Sequence, residues 1–311
     1  MRKGENDSMR KTVEIVSLSS GIIGEPFVAH ELRIGEERLK SMGLKVKHSS
    51  HTLKGIDYIK EHPEDRASDL IEAFADPEVD IILCAIGGDD TYRLLPFLFQ
   101  DDRLKKVICE KIFLGFSDTT MNHFMLHKLG LKTFYGQSFL ADLCELDNDM
   151  LPYSKKYFEE LLCTGTIREI CPSNVWYEER TSFDESQIGV PRIGHKNNGY
   201  KLLQGPSAFS GKILGGCIDS IYDIFNNDRY EDSISLCEKY GLFDVISGVL
   251  VGKPIDETYS TEYCDLLVKV INKPELPILY NINIGHATPR CIIPFGVNAH
   301  VDAEQQVISF E

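Results

Sequence analysis

The sequence predicts an α/β protein with a mostly parallel N-terminal sheet flanked by helices, a smaller C-terminal α/β domain, and a long loop joining the two. Three observations carry that expectation. Short β-rich runs alternate with segments of helical periodicity through the first half of the chain, the pattern left by strands joined through helical crossovers. Residues 79–86 (VDIILCAI) are almost continuously apolar, as a strand covered on both faces requires. Residues 171–205, rich in Glu, Ser, Gly, Pro and Asn, then interrupt the alternation as a linker would. The expected divisions are residues 1–168, a connecting loop 169–204, and residues 205–311.

Residues 12–18 (TVEIVSL) make the opening strand, which ends in Ser19-Ser20-Gly21, a loop able to approach a ligand. Residues 27–42 set Val28, Leu32, Ile34 and Leu39 along a helix, and residues 44–48 return as a strand. In residues 63–74, Ala67, Leu70, Ile71 and Phe74 recur at helical spacing. After the apolar strand 79–86 comes a shorter one ending at Leu114. Residues 119–129 then carry Met121, Phe124, Met125 and Leu129 at helical spacing, with Gly130 as the stop. Residues 248–253 and 266–271 continue the alternation, and 299–310 close the chain as a β segment.

A formal net charge of −15 disfavours nucleic acid and anionic membranes as main partners, since both would be repelled. A small molecule or a peptide fits better. No apolar run approaches the roughly 18 residues of a spanning helix. The opening MRKGENDSMRKT is too polar for a signal peptide, so a cytoplasmic location is expected. Met9 can serve as the natural start, with residues 1–8 a tag remnant or tail. The nine cysteines, an odd number without a C-x-x-C pair, read as buried free thiols. Neither a metal nor a cofactor is expected.

Ser117 stands at the joint between the strand ending at Leu114 and the helix that follows. Gly115 permits a tight bend there, and the first amides of the helix are unpaired donors, so the serine has the setting of a nucleophile elbow. Thr119 occupies the position where a hydrolase elbow has glycine, and the plainer reading of Ser117 or Asp118 is a helix cap. Gly87-Gly88-Asp89-Asp90 ends the preceding strand; paired glycines leave amides uncovered for an oxyanion or a carboxylate, with an ordinary turn as the alternative. Both loops follow parallel strands and should line one crevice. His286, between glycine and proline turn signals, sits on a loop after an apolar run, and its imidazole could accept a hydroxyl proton. Trp176, the single tryptophan, is either packed as a hinge or an exposed aromatic platform, while Arg180, Asp184 and Glu185 read as surface charges.

Six segments in order, SSGIIGEPFVAH, AIGGDDTYRLLP, FLGFSDTTMNHFML, LLQGPSAFSGKILGGCIDS, FDVISGVLVGKP and NINIGHATPRCIIPFGV, resemble the LD-carboxypeptidase and microcin C immunity family of serine peptidases. The wording of the first two is closer to the microcin-immunity branch. The resemblance implies Ser117 as nucleophile, His286 as base, and the amides of Gly88 and Asp118 as oxyanion donors. It also implies substrate contacts from Gly87, Asp89, Gly215 and Gly216, and Trp176 as the aromatic that stacks on a nucleobase. Asp219 reads as a helix start. The implied substrates are a peptidyl or aminoacyl nucleotide, or a muropeptide, and the implied assembly is a homodimer.

The family's third catalytic residue is a glutamate at the end of an apolar strand, and no such run lies between Cys217 and Gly241. We expect a segment carrying it to be missing there; Glu231 and Glu238 sit on a polar stretch and are not assigned. Two alternatives remain. Gly87 to Thr91 (GGDDT) is one residue from the GGDGT signature of NAD and lipid kinases, and a chain without the glutamate could be an inactive aminoacyl-nucleotide-binding protein.

Overall fold

In chain order the strands of the computed structural model, which describes residues 11–225, 241–255 and 257–311, are β1 (Thr12–Val16), β2 (Lys45–His48), β3 (Ile81–Cys84), β4 (Ile112–Gly115), β5 (Thr133–Tyr135), β6 (Glu169–Ile170), β7 (Val175–Tyr177), β8 (Gly194–Lys196), β9 (Lys201–Gln204), β10 (Ala208–Lys212), β11 (Val249–Gly252), β12 (Ile278–Ile282), β13 (Ile293–Phe295), β14 (Asn298–Asp302) and β15 (Val307–Phe310). The first sheet has the order β13-β5-β4-β3-β1-β2; β5 to β2 are parallel, and β13 pairs antiparallel on the β5 edge. Every residue of β1 and β3 is buried. The alternation of side chains splits the core into two layers: Val13, Ile15, Ile81 and Leu83 join one, while Val16, Ile82, Cys84 and Phe113 join the other.

The chain leaves β1 for β2 on one side and later returns as β3 on the other, so the carboxyl ends of β1 and β3 form a switch point where two loops diverge and leave a crevice. The second part of the molecule contains an antiparallel sheet, β10-β14-β15-β6, and a mixed one, β11-β12-β9, in which β11 runs parallel to β12 and β9 antiparallel. The mostly parallel first sheet and smaller C-terminal α/β part agree with the sequence. The connecting stretch is less irregular than its composition implies, since it holds the hairpin β7–β8 and the strand β9. Through β13, the last hundred residues also return one strand to the first sheet.

The first long helix begins at Ala29, after a 3₁₀ turn at Pro26–Val28, and buries His30, Glu31, Gly35 and Leu39. Ile34, expected on the core face, is only partly buried. The helix is rolled toward Gly35, where it meets the π-helical turn Phe139–Leu143: a Cβ on Gly35 would lie 2.5 Å from Cys144 Sγ and 2.6 Å from Phe139 Cζ. The cysteines are a partial correction to the sequence. Cys84, Cys144, Cys264 and Cys291 are buried and free, but Cys109 and Cys163 are exposed. No helix among the described residues is long and apolar enough to cross a membrane.

Because the Gly35 contact leaves no room for a methyl group, Gly35→Ala is expected to lower stability by about 1–3 kcal/mol through overpacking. Chemical denaturation with an unchanged m-value would measure it, and an unaltered midpoint would contradict this packing.

Candidate functional site

Ser117 is the first residue of a 3₁₀ turn, Ser117–Thr119, that leads from β4 into the helix Thr120–Lys128, and its φ of 62° lies in the left-handed region. A non-glycine residue there is held by its surroundings. The Ser117 amide donates to the Tyr135 hydroxyl at 3.1 Å, and the Thr120 hydroxyl donates to the Ser117 carbonyl at 2.6 Å. The Thr119 hydroxyl donates to the Phe116 carbonyl at 2.9 Å. Gly115 is required beneath it, since an added Cβ would fall 2.7 Å from Thr119 Oγ1 and 2.8 Å from Cys84 Sγ. Deeper still, His123 bonds Thr133 Oγ1 at 2.8 Å and the Gly115 carbonyl at 3.2 Å; burial draws its pKa down to about 3, so it is a neutral structural histidine.

Asp118 ties three loops together. Its carboxylate accepts from Ser19 Oγ at 2.5 Å and from the Thr91 amide at 2.9 Å, while the Thr91 hydroxyl donates to the Asp118 carbonyl at 2.7 Å. Burial raises its pKa, and the Ser19 and Thr91 bonds oppose that rise. Gly88 lies so close to Ser19 that a Cβ would sit 2.2 Å from Ser19 Oγ, and a Cβ on Gly87 would sit 2.7 Å from Ser117 Cβ and 2.9 Å from Ser117 Oγ. Gly87 therefore brings bare backbone against Ser117, and Gly88 does so against Ser19. Asp89 beside them is exposed. Arg66, fully buried, supports both loops from below by donating to the Leu18 carbonyl at 3.1 Å and to Asp90 Oδ1 at 2.7 Å. The sequence reading missed it, although Arg66 precedes Leu70 by one helical turn on the core-facing side.

His286 comes to the crevice from the loop after β12. Its Nε2 is 3.0 Å from Ser117 Oγ, although the residues are 169 apart in the chain. The ring keeps contact with solvent on its outer side and stands edge-on to Phe116, with centroids 5.6 Å apart. Burial of its inner side and the neighbouring Arg290 cation hold its pKa below the usual imidazole value, against the opposing pull of Asp219 and Glu179. Among the described residues no carboxylate is hydrogen-bonded to the other ring nitrogen. Glu231 and Glu238 lie outside the described residues, as do residues 1–8.

The remaining expected residues fall around this pair. Gly216 is pressed on the helix start, where an added Cβ would lie 2.3 Å from Thr120 Cγ2, and the Cys217 amide donates to Thr120 Oγ1 at 2.8 Å. Gly215 has room beside it, and Asp219 lies in the first turn of the helix Ile218–Phe225. Trp176 is half-buried, stacks on its cross-strand partner His195 with centroids 4.6 Å apart, and has the Lys253 ammonium over its ring at 4.8 Å. The Tyr177 amide next to it donates to the Thr288 carbonyl at 2.8 Å, fastening the hairpin to the His286 loop. Arg180 corrects the sequence reading: its guanidinium is buried against Glu145, with Nη2 to Oε1 at 2.6 Å, whereas Asp184 and Glu185 are exposed as expected.

Two family models match the chain: the LD-carboxypeptidase N-terminal domain over residues 13–136 and the LD-carboxypeptidase C-terminal domain over residues 226–301. An MccF-like protein from Streptococcus pneumoniae, solved in complex with AMP, is 57% identical and superposes with a TM-score of 0.92 over 97% of this chain and 99% of that one. A putative carboxypeptidase of Synechocystis is 31% identical over 294 residues, 90% of this chain and 89% of its own. The microcin C7 self-immunity protein MccF of Escherichia coli is 26% identical over 305 residues, 88% of this chain and 86% of its own.

The contact between Gly87 and the serine gives a direct test of the geometry. Gly87→Ala is expected to displace Ser117 Oγ and to slow its reaction with a fluorophosphonate by about 100-fold, the usual penalty for misplacing a reacting group by an ångström. Melting should change by only a few degrees. Wild-type labelling kinetics in a folded variant would contradict the arrangement.

Proposed function

Because the chain belongs to the LD-carboxypeptidase family of serine peptidases, we propose that Ser117 is its nucleophile and His286 its general base, acting on amide bonds in peptide or aminoacyl-nucleotide substrates. The observation that carries this reading is the 3.0 Å contact between Ser117 Oγ and His286 Nε2 at a residue whose backbone is held at φ 62°. Ser117 Oγ attacks the amide carbonyl as His286 Nε2 takes its proton. The Gly88 and Asp118 amides hold the tetrahedral oxyanion. His286 then returns the proton to the leaving amine, and water, deprotonated by the same imidazole, releases the acyl group as a carboxylate. The Ser117 amide is committed to Tyr135, which leaves the Asp118 amide, at the opening of the helix, as the elbow's donor. A lowered pKa keeps His286 in its basic form at neutral pH.

The substrate we favour within the family is a peptidyl or aminoacyl nucleotide, as in microcin C-type detoxification; the AMP bound by the 57% identical streptococcal protein supports it. In that reading Trp176 is the aromatic wall for the base, which replaces His195 in the stack, and Gly87, Asp89, Gly215 and Gly216 contact the acyl and phosphoryl groups. A muropeptide ending in D-alanine is the second reading, and the description of the family models favours it. The GGDDT kinase reading is not favoured: Gly87 abuts Ser117, and Asp90 is engaged by Arg66 and Arg93. Nor is an inactive binding protein, given a serine and a histidine in hydrogen-bond contact. The division at residues 168 and 204, a cytoplasmic location and a homodimeric state belong to the same proposal, and light scattering reads the last of these.

Ser117→Ala is expected to lower hydrolysis by on the order of 10⁴-fold or more while sparing the fold. Turnover of an aminoacyl sulfamoyl or phosphoramidate adenosine, followed by chromatography beside a muropeptide tetrapeptide, identifies the substrate; full activity in the alanine variant would remove Ser117 from the mechanism. The acid limb of kcat/KM should fall below about 6.5, the usual imidazole value, because a depressed pKa keeps the base unprotonated to lower pH. A limb above that value would contradict His286 as the base in this environment.

A further inference from the structure

Arg290 follows His286 by four residues and is buried, yet no step of the mechanism above uses it. All three of its guanidinium nitrogens are engaged. Nε donates to the Gly285 carbonyl at 2.7 Å, Nη2 to the His286 carbonyl at 3.2 Å and to Thr288 Oγ1 at 3.4 Å, and Nη1 to Asp142 Oδ1 at 2.7 Å. The same group lies over the Phe116 ring at 4.8 Å, and Phe116 immediately precedes Ser117. The main chain of Arg290 is fixed as well: its amide donates to Ser154 Oγ at 3.0 Å, and its carbonyl accepts from Gln137 Nε2 at 3.1 Å.

These contacts run in one direction. Asp142, on the π-helical turn Phe139–Leu143, fixes the guanidinium in the N-terminal part of the molecule, and the guanidinium grips the two carbonyls that flank the Cα of His286. Phe116 then touches both the cation and the imidazole. A planar fork is suited to this because one rigid group can satisfy a carboxylate and two carbonyls at once; a lysine ammonium cannot reproduce the fan of donors. We propose that Arg290, anchored by Asp142, is the positioning residue that sets the His286 imidazole against Ser117. The proposal rests on the Ser117–His286 reading.

Among the described residues, the charged groups that act on His286 are Arg290 on its own loop, Asp219 from the helix Ile218–Phe225, and Glu179 from the connecting stretch. Arg290 lowers the imidazole pKa, and the two carboxylates raise it. Removing the cation therefore raises the pKa and moves the acid limb of kcat/KM to higher pH, and a lysine that keeps the charge separates this field effect from the loss of positioning.

The test compares Arg290→Gln, Arg290→Lys and the double variant Asp142→Asn with Arg290→Gln, the last because it leaves no unpaired charge in the interior. Fluorophosphonate labelling and amide hydrolysis are measured as functions of pH beside melting curves. Arg290→Gln and the folded double variant should lose about 10- to 100-fold in kcat, with KM within about twofold and the acid limb displaced upward. Arg290→Lys should lose comparable kcat while its acid limb stays near wild type, since charge remains and the fork does not. Wild-type kcat and pH profile in folded Arg290→Gln and double variants would overturn the proposal, as would losses matching only the unfolded fraction. If wild-type Ser117 is not labelled and does not turn over substrate, the Ser117–His286 reading fails and takes this proposal with it; labelled wild type with unaltered variants removes the proposal alone.

Discussion

The constraint on which the crevice depends is the left-handed backbone of Ser117. A non-glycine residue at φ 62° carries roughly 1–3 kcal/mol of strain, and it persists only where the surroundings over-determine it. Here the Tyr135 hydroxyl holds its amide, Thr120 holds its carbonyl, and Gly87 leaves the space that its side chain occupies. The conformation turns the hydroxyl out of the sheet edge toward His286 while the amides behind it open the helix Thr120–Lys128. Strain at Ser117 is thus met by contacts from the loop after β3, from β5 and from the helix.

A serine fixed in this way is useful only if the imidazole arrives with comparable accuracy from 169 residues further along the chain. The strand β13 joins the edge of the first sheet just after the His286 loop, so the register of a β ladder sets the loop's endpoint. The hairpin strand β7 pins Thr288, and the buried Asp142–Arg290 pair holds the loop from within. Three residues beyond Asp142, Glu145 takes Arg180 and Arg192, which anchors the connecting stretch to the same irregular turn. Burial alone would raise the Glu145 pKa, but the two guanidinium groups bring it below the usual carboxylate value. One short π-helical segment and the turn after it thereby fix both the His286 loop and the connecting stretch bonded to it.

Much of this was legible in the sequence because it follows from periodicity and turn chemistry. The apolar run 79–86 holds the buried strand Ile81–Cys84, Ser117 stands at a strand–helix joint as its turn signals imply, and the resemblance linked it to His286. The supporting charges were not legible. Arg180 read as a surface charge because a single chain does not reveal that Glu145 lies buried opposite it, and Asp142 and Arg290 carry no local pattern at all. Buried ion pairs are properties of two distant segments, and only tertiary packing brings them together. The ordered β7–β8 hairpin escaped notice because its strands, Val175–Tyr177 and Gly194–Lys196, are each three residues long, too short for an alternation to register.

The electrostatics of the crevice explain why its glycines matter. The chain carries a net charge of −15, so an anionic substrate gains nothing from the overall field. Among the described residues, four cations around the site are engaged: Arg66 and Arg93 by Asp90, Arg290 by Asp142, and Lys253 by Glu257. In the proposed mechanism a developing oxyanion, or a carboxylate or phosphoryl group, would meet backbone N–H where side chains are absent, at Gly87-Gly88 and at Gly215-Gly216. Such dipoles are fixed before the substrate arrives and need no reorganisation as charge develops. Pairing the arginines internally therefore leaves their charge to hold loops in place and gives the binding of negative charge to the main chain.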